Sequence, residues 1–400
     1  MIVWTRLTIA FSLLLSTSPF AAEPTGVTAT EIKVGGVFPF SGPASSLGRV
    51  GQGIIAYVRS INDRGGINGR KIDYIALDDS YSPPKAVEQV RRLVESDEVA
   101  FIFSQLGTPG NSATAKYLTA KGVPSVAIMT GSDKFTNVDE FPLTTTGLVS
   151  YSSEGKIYAK YLNTVLPGAK YAVLYQNDDL GRGYVNAFKA FFKDSFEAKV
   201  VTAAFEVTDP TVDSQVVALK SSGAAALFVA GTPKSAAQAI RKAAEIGWRP
   251  TVILDFPSSS AAATLKPTER DDKTTDVIVG SIRKDPTDPR WKDDAGMKAY
   301  RDFFEKYLPG SDIADTNYLT GYGQGKILEQ ILMQCGNDLS RQNVARQARG
   351  LHDVVLPTAL PGIKINTGAT SNMLWTQMQM ERWTGTSWEP FGDLLDAMSE

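Results

Sequence analysis

Two short, continuously apolar segments constrain this chain most: Val99–Ser104 (VAFIFS) and Ala225–Ala230 (AALFVA). A strand with no polar face must be covered on both faces, which is the condition of a parallel sheet layered between helices. Each segment is followed by a glycine-containing turn and then by apolar residues at helical spacing. The surrounding chain keeps the same rhythm. Strands are predicted at Ile32–Phe40, Ile72–Leu77 and Ser125–Met129, and helices at Gly51–Asn62, Pro83–Ser96 and Asn111–Lys121. The pattern then restarts, with helices at Glu154–Leu166, Gly183–Phe196, Val212–Ser221 and Ser235–Ile246. Between them fall strands at Tyr171–Gln176, Val200–Phe205 and Thr251–Leu254. Two successive runs of βα units predict an α/β protein with two doubly wound parallel sheets and right-handed crossovers. After them, Arg283–Trp291 reads as a Pro-rich loop, Ala295–Tyr307 and Asn317–Gln334 as helices, and Met373–Trp388 as a β-hairpin turning at Thr384–Ser387.

Charge and reactive residues then remove whole classes of function. With 41 Lys+Arg against 43 Asp+Glu the formal net charge is −2, so no nucleic-acid partner is expected. Cys335 is the only cysteine and His352 the only histidine. No intrachain disulfide can form, no His-cluster metal site is available, and at most one histidine base exists. Gly321-Tyr322-Gly323-Gln324-Gly325 lacks the spacing of a dinucleotide loop and lies in a helical pattern. Asp78-Asp79 and Asp178-Asp179 are candidates for acid–base work, but strand-end and capping roles explain them more simply. Catalytic residues, a cofactor and a metal are therefore not expected. At the N-terminus, Leu7–Leu15 is a nine-residue apolar run followed by small residues. It is too short to span a bilayer and fits a leader over residues 1–22, cleaved after Ala21 or Ala22. With no cysteine near that point a lipid anchor is not expected, and the mature protein is read as periplasmic.

The segment Ile32–Ser80 carries Ser41-Gly42-Pro43, Gly48, Ile61-Asn62, Gly65-Gly66, Gly69-Arg70-Lys71 and Asp78-Asp79 in order. With Gly181-Arg182-Gly183, Gly231, Gly247 and Leu360-Pro361-Gly362-Ile363, it resembles the type I periplasmic solute-binding proteins, and most of all the branched-chain amino-acid receptors of ABC transporters. The resemblance covers nearly the whole mature chain. It implies two lobes that are discontinuous in sequence: residues 31–149 with 282–372, and 150–281 with 373–400. Three strands crossing near residues 149, 281 and 372 would form the hinge. It also implies capture of a small organic acid or amino acid, an ABC permease as partner, and a monomer, with a ligand sensor for a regulatory partner as the other option.

By the same resemblance, Thr108 lies in one loop that contacts a ligand carboxylate, and Thr130, Gly131 and Ser132 in a second. The loop with Ser46 and Leu47 contacts the ligand side chain. Tyr151 and Asn317 are further candidates beside the cleft, whereas Tyr322 suits core packing. Receptors of this family hold the α-ammonium of an amino acid with an acidic residue and tyrosines of the second lobe. Here Phe256 aligns with the acid, and Leu180 and Thr232 with two tyrosines. A buried ammonium without a counter-charge is unfavourable, so the alignment favours an aromatic carboxylate such as a benzoate or a phenylpropenoate. A slip of one residue would put Asp255 at the acidic position and restore an amino-acid receptor.

Overall fold

In the computed structural model, which describes residues 24–268 and 276–396, the βα units assemble into two sheets. The expected leader lies outside the described residues. The first sheet is built from β1 (Glu31–Phe38), β2 (Lys71–Asp78), β3 (Phe101–Phe103), β4 (Ser125–Ile128) and β5 (Thr144–Thr146). Its order is β2-β1-β3-β4-β5 and every pairing is parallel. Helices α1 (Gly48–Asp63), α2 (Pro83–Glu95) and α3 (Thr108–Ala120) are the connections.

The chain then passes through α4 (Tyr151–Val165) into the second sheet. Its strands are β6 (Tyr171–Gln176), β7 (Val200–Phe205), β8 (Ala226–Ala230), β9 (Thr251–Leu254) and β10 (Val277–Ser281). They are linked by α5 (Asp179–Phe192), the short α6 (Phe196–Lys199), α7 (Asp213–Ser221) and α8 (Pro233–Glu245). Helices α9 (Ala295–Tyr307), α10 (Thr316–Cys335) and α11 (Arg341–Ala348) follow. The chain finally returns as the hairpin β11 (Gln377–Trp383) and β12 (Trp388–Asp396). This sheet runs β12-β11-β10-β9-β8-β6-β7; β11 joins β10 antiparallel, so it is mixed rather than wholly parallel.

Several boundaries differ from the sequence reading for local reasons. Helix α5 starts four residues before the expected Gly183 because Asp178 caps it, accepting from the Leu180 and Gly181 N–H groups at 2.9 and 3.4 Å. Helix α3 begins at Thr108 rather than Asn111, with Pro109 in its first turn. The hairpin's first arm starts at Gln377 rather than Met373, and its second runs on to Asp396 past the expected end at Trp388. Strands β5 and β10 and helix α11 were not anticipated from residue patterns; each is short. The GYGQG run is a packing device: a Cβ on Gly321 would lie 2.2 Å from the Val50 carbonyl oxygen, and one on Gly325 about 2.5 Å from the Tyr57 ring. Only glycine lets α10 lie this close to α1. Tyr322 is core, its ring edge-on to Tyr57 at 5.0 Å between centroids, as expected.

Candidate binding site

Both sheets reverse their winding direction once. In the first, β1 lies between β2 and β3; in the second, β6 lies between β7 and β8. At such a switch point the loops leave the carboxyl ends of adjacent strands in opposite directions and open a crevice between them. The two crevices face each other across a partly open pocket. Nearly every parallel strand delivers a residue to it just beyond its end: Leu47 after β1, Tyr81 after β2, Thr108 after β3, Met129 after β4, Leu148 after β5, Leu180 after β6, Gly231 after β8, Phe256 after β9 and Arg283 after β10. Asn317 and Thr320 reach it from α10.

On one side the wall is a group of hydroxyls. The Thr108 Oγ1 lies 2.9 Å from both Thr130 Oγ1 and the Tyr151 hydroxyl. Thr108 is the first residue of α3, whose N-cap, Gly107, offers no side chain, so the N-terminal N–H groups of the helix are not capped from within. The backbone φ of Gly107 is 107°, and a Cβ there would lie 2.8 Å from the Tyr81 ring. Glycine is therefore what lets the loop run close beneath Tyr81. Burial pushes the Tyr151 phenol up to about 12 despite its hydrogen bonds to Thr108 and Thr130, which keeps it neutral and able to donate.

Opposite lies Phe256, and the acid beside it points elsewhere. Asp255 is fully buried and turns back to its own loop, accepting from the Gly231 N–H at 2.9 Å and the Ser258 N–H at 3.2 Å. Burial raises its pKa well above the usual carboxylate range. Behind it, Glu154 accepts from the Tyr158 hydroxyl (2.6 Å), the Tyr184 hydroxyl (2.7 Å) and the Phe256 N–H (3.0 Å). Burial lifts that carboxyl to about 7, the three donors pulling the other way. Neither acid is among the residues lining the cavity, and no lining residue is acidic.

The one charged lining residue is Arg283. Its guanidinium sits 4.4 Å from the centroid of the Phe256 ring. Nη2 donates to Ser259 Oγ at 2.8 Å and to Thr316 Oγ1 at 2.7 Å. Nη1 is buried and has no partner among the described residues. Burial lowers its pKa to about 10, with Glu381, Asp285 and Asp315 raising it from a distance, so it stays cationic at neutral pH.

The structure thus brings Leu47, Thr108, Tyr151, Leu180, Phe256 and Asn317 together around one cavity. The other candidates stand behind it. Ser46 offers its carbonyl to Asn317 Nδ2 at 3.4 Å. Thr130 backs Thr108. Gly131 accepts from the Tyr151 N–H at 2.8 Å, in a place where a Cβ would collide with the Val149 carbonyl. Ser132 donates its N–H to Thr130 Oγ1, and Thr232 caps α8 in a reciprocal box with Ser235. Tyr81, Met129, Thr320 and Arg283 were not anticipated. Arg283 lies in the segment read as a loop, and the only sequence signal for it was position: it stands just after β10, which residue patterns missed but which the resemblance implied as a strand crossing near residue 281.

The family described as "Periplasmic binding protein" matches residues 31–387 of this chain. A Leu/Ile/Val-binding protein homolog of Brucella abortus is 24% identical over 355 residues, covering 85% of this chain and 83% of that protein. Among solved structures, a branched-chain amino acid ABC transporter protein from Thermus thermophilus with bound valine superposes with a TM-score of 0.78 at 14% identity, over 92% of this chain and 96% of that one. A solute-binding protein of an ABC transporter from R. palustris in complex with benzoate gives 0.73 at 20% identity, over 90% and 96%. At these identities the two structures speak to fold.

Proposed function

This chain belongs to the periplasmic binding protein family, in the type I branch of the branched-chain amino-acid receptors, and is a solute-binding receptor rather than an enzyme; from that premise we propose that it captures a small organic acid, above all an aromatic carboxylate, for an ABC importer. The observation that carries the ligand class is the charge inside the cavity: a cation, Arg283, and no acid in the lining. A carboxylate gains from a fixed guanidinium that no ion pair among the described residues engages, and from the hydroxyls of Thr108 and Tyr151. An α-ammonium would find no counter-charge there and would be desolvated without return. Phe256, already stacked under Arg283, with Leu47, Leu148 and Leu180, suits an apolar or aromatic ring. That the R. palustris relative is a benzoate complex supports the same reading.

A branched-chain amino acid is the second reading. The leucines, Val50 and Met129 of the lining accommodate an aliphatic side chain, and the Thermus relative holds valine. Its ammonium would have to rely on neutral acceptors alone.

The lobes we propose are 31–149 with 282–372, and 150–281 with 373–400. In support, the first sheet ends at Thr146, and every strand of the second lies within 171–281 or 377–396. The family is periplasmic, and among the described residues no helix is long and apolar enough to cross a membrane. Export by a leader over residues 1–22 without a lipid anchor, docking of both lobes on a permease, and a monomeric state belong to the same proposal.

Thermal unfolding of ligand-stripped protein against aromatic acids and aliphatic amino acids tests the ligand class. A ligand at a hundred times its dissociation constant adds about 2.7 kcal/mol, a shift of a few degrees. A shift with benzoate or phenylpropenoate and none with leucine or valine is expected. A shift with leucine or valine alone overturns it.

A further inference from the structure

A second pocket adjoins the first and shares Leu148, Phe256, Arg283 and Thr320 with it. Each segment through which the chain passes between the sheets contributes to this inner chamber: Gly147 after β5, Ile282 after β10 and Trp375 before β11. The rest of its lining is mostly apolar, with Leu356 and Ile327 in the wall.

Two of its lining residues carry buried polar atoms without a hydrogen-bond partner among the described residues: Gln324 Oε1, an acceptor, and Trp375 Nε1, a donor. Both side chains are about 3% exposed. On the shared wall, Arg283 Nη1 is a third. A buried polar group left unpaired costs about 1–3 kcal/mol, and native interiors rarely retain such groups without a reason. Three belong to side chains that line this one chamber, where a polar partner would satisfy them. A carboxylate has no proton for Gln324 Oε1, and an ammonium has no lone pair for Trp375 Nε1. A hydroxyl supplies both. It also serves whichever way the Gln324 amide is turned, since it donates to the oxygen or accepts from the nitrogen.

We propose that the inner chamber is a second subsite, which receives the far end of an elongated organic acid bearing a hydroxyl there, while the acid group stays in the outer cavity. This rests on the organic-acid reading and narrows it from aromatic carboxylates in general to those with a polar group opposite the acid. Phe256 and Leu148, common to both cavities, flank the body of the molecule, and Arg283 holds the charge between the two spaces.

Calorimetric titration with benzoate, phenylpropenoate and its para-hydroxylated and para-methylated analogues tests this. The hydroxylated acid is expected to bind about tenfold or more tighter than the methylated one, which has similar size but no hydrogen bond. Gly323→Val gives the chamber a side chain where a Cβ meets only Leu356 Cδ1, at 3.4 Å. It should weaken both para-substituted acids about tenfold or more and leave benzoate unchanged, its retained binding showing that the variant is folded. Gln324→Leu should erase the preference for the hydroxyl alone. Equal binding of the hydroxylated and methylated acids, or a Gly323→Val protein that binds the long acids normally, overturns the inner subsite while benzoate binding leaves the organic-acid reading standing. If none of the acids binds the unaltered protein, the organic-acid reading falls and this inference with it.

Discussion

Replacing Arg283 by methionine preserves much of the side chain's apolar reach and removes its charge. A buried cation without a paired acid contributes little to stability, and an apolar group of similar volume is often tolerated as well. Arg283→Met is therefore expected to leave the melting temperature of the ligand-free protein within a few degrees of its starting value. A bound carboxylate would lose its charge partner, at about 2 kcal/mol or more, so affinity for benzoate should fall about thirtyfold or further in a calorimetric titration. Unaltered affinity would mean that the hydroxyls alone hold the anion. The buried acids give a separate test. Glu154 is lifted to about 7 and Glu381 to about 8, so the folded state holds protons that the unfolded chain releases near the ordinary glutamate range. Stability from these groups is full below that range and is lost as pH rises through the folded values. The melting temperature should fall between about pH 5 and about pH 8, and less steeply in Glu154→Gln, whose amide still accepts from Tyr158 and Phe256. An identical slope in the variant would assign the pH dependence elsewhere.

Among the elements, the N-terminus of α3 is where backbone conformation and cavity shape meet. Gly107→Ala would force a side chain into a left-handed φ of 107° and to within 2.8 Å of Tyr81. The strain costs about 1–3 kcal/mol by urea denaturation, and Tyr81 must move out of the cavity wall, weakening any ligand. Normal stability with normal affinity would remove Gly107 from the argument. Elements also show what the sequence could tell. The short, continuously apolar strands were legible because nothing but a doubly covered sheet accommodates VAFIFS or AALFVA. Thr108 followed from its place between a buried strand and a helix together with the resemblance, and Leu180 and the loss of an acid at Phe256 from alignment with the family alone. Strand β10 was not read from its own residues, VIVGS, although the resemblance implied a strand crossing near residue 281. Missing it left Arg283 in a featureless loop, although it stands at the end of a strand. Tyr81 was hidden differently, because a tyrosine after a strand carries no signal of which way a loop will fold.

For the whole molecule, the cleft is bridged at its rim. Ser112 Oγ of α3 donates to Asp179 Oδ2 at the start of α5 at 2.9 Å. Ser260 Oγ donates to Asp315 at 2.8 Å, and Lys266 meets Asp312 at 2.8 Å. The exposed links at Ser112–Asp179 and Lys266–Asp312 hold about 1 kcal/mol or less each and the buried Ser260–Asp315 bond about 1.5–3 kcal/mol, little to keep two lobes shut by themselves. Closure must then depend on what the cavity holds, and a ligand shifts it only by binding the closed form better than the open one. Cys335 is buried, so a cysteine pair placed by Ser112→Cys and Asp179→Cys can be followed without interference from the native thiol. The pair can join only when the rim is closed. Under mild oxidant, benzoate or its longer relatives should speed disulfide formation about tenfold or more, in step with the population they shift. Once joined, the protein should release bound ligand far more slowly than the reduced form does. If the rate of joining is the same with and without ligand, the cleft does not open in solution, and a receptor that delivers its solute by opening is no longer a tenable reading of this fold.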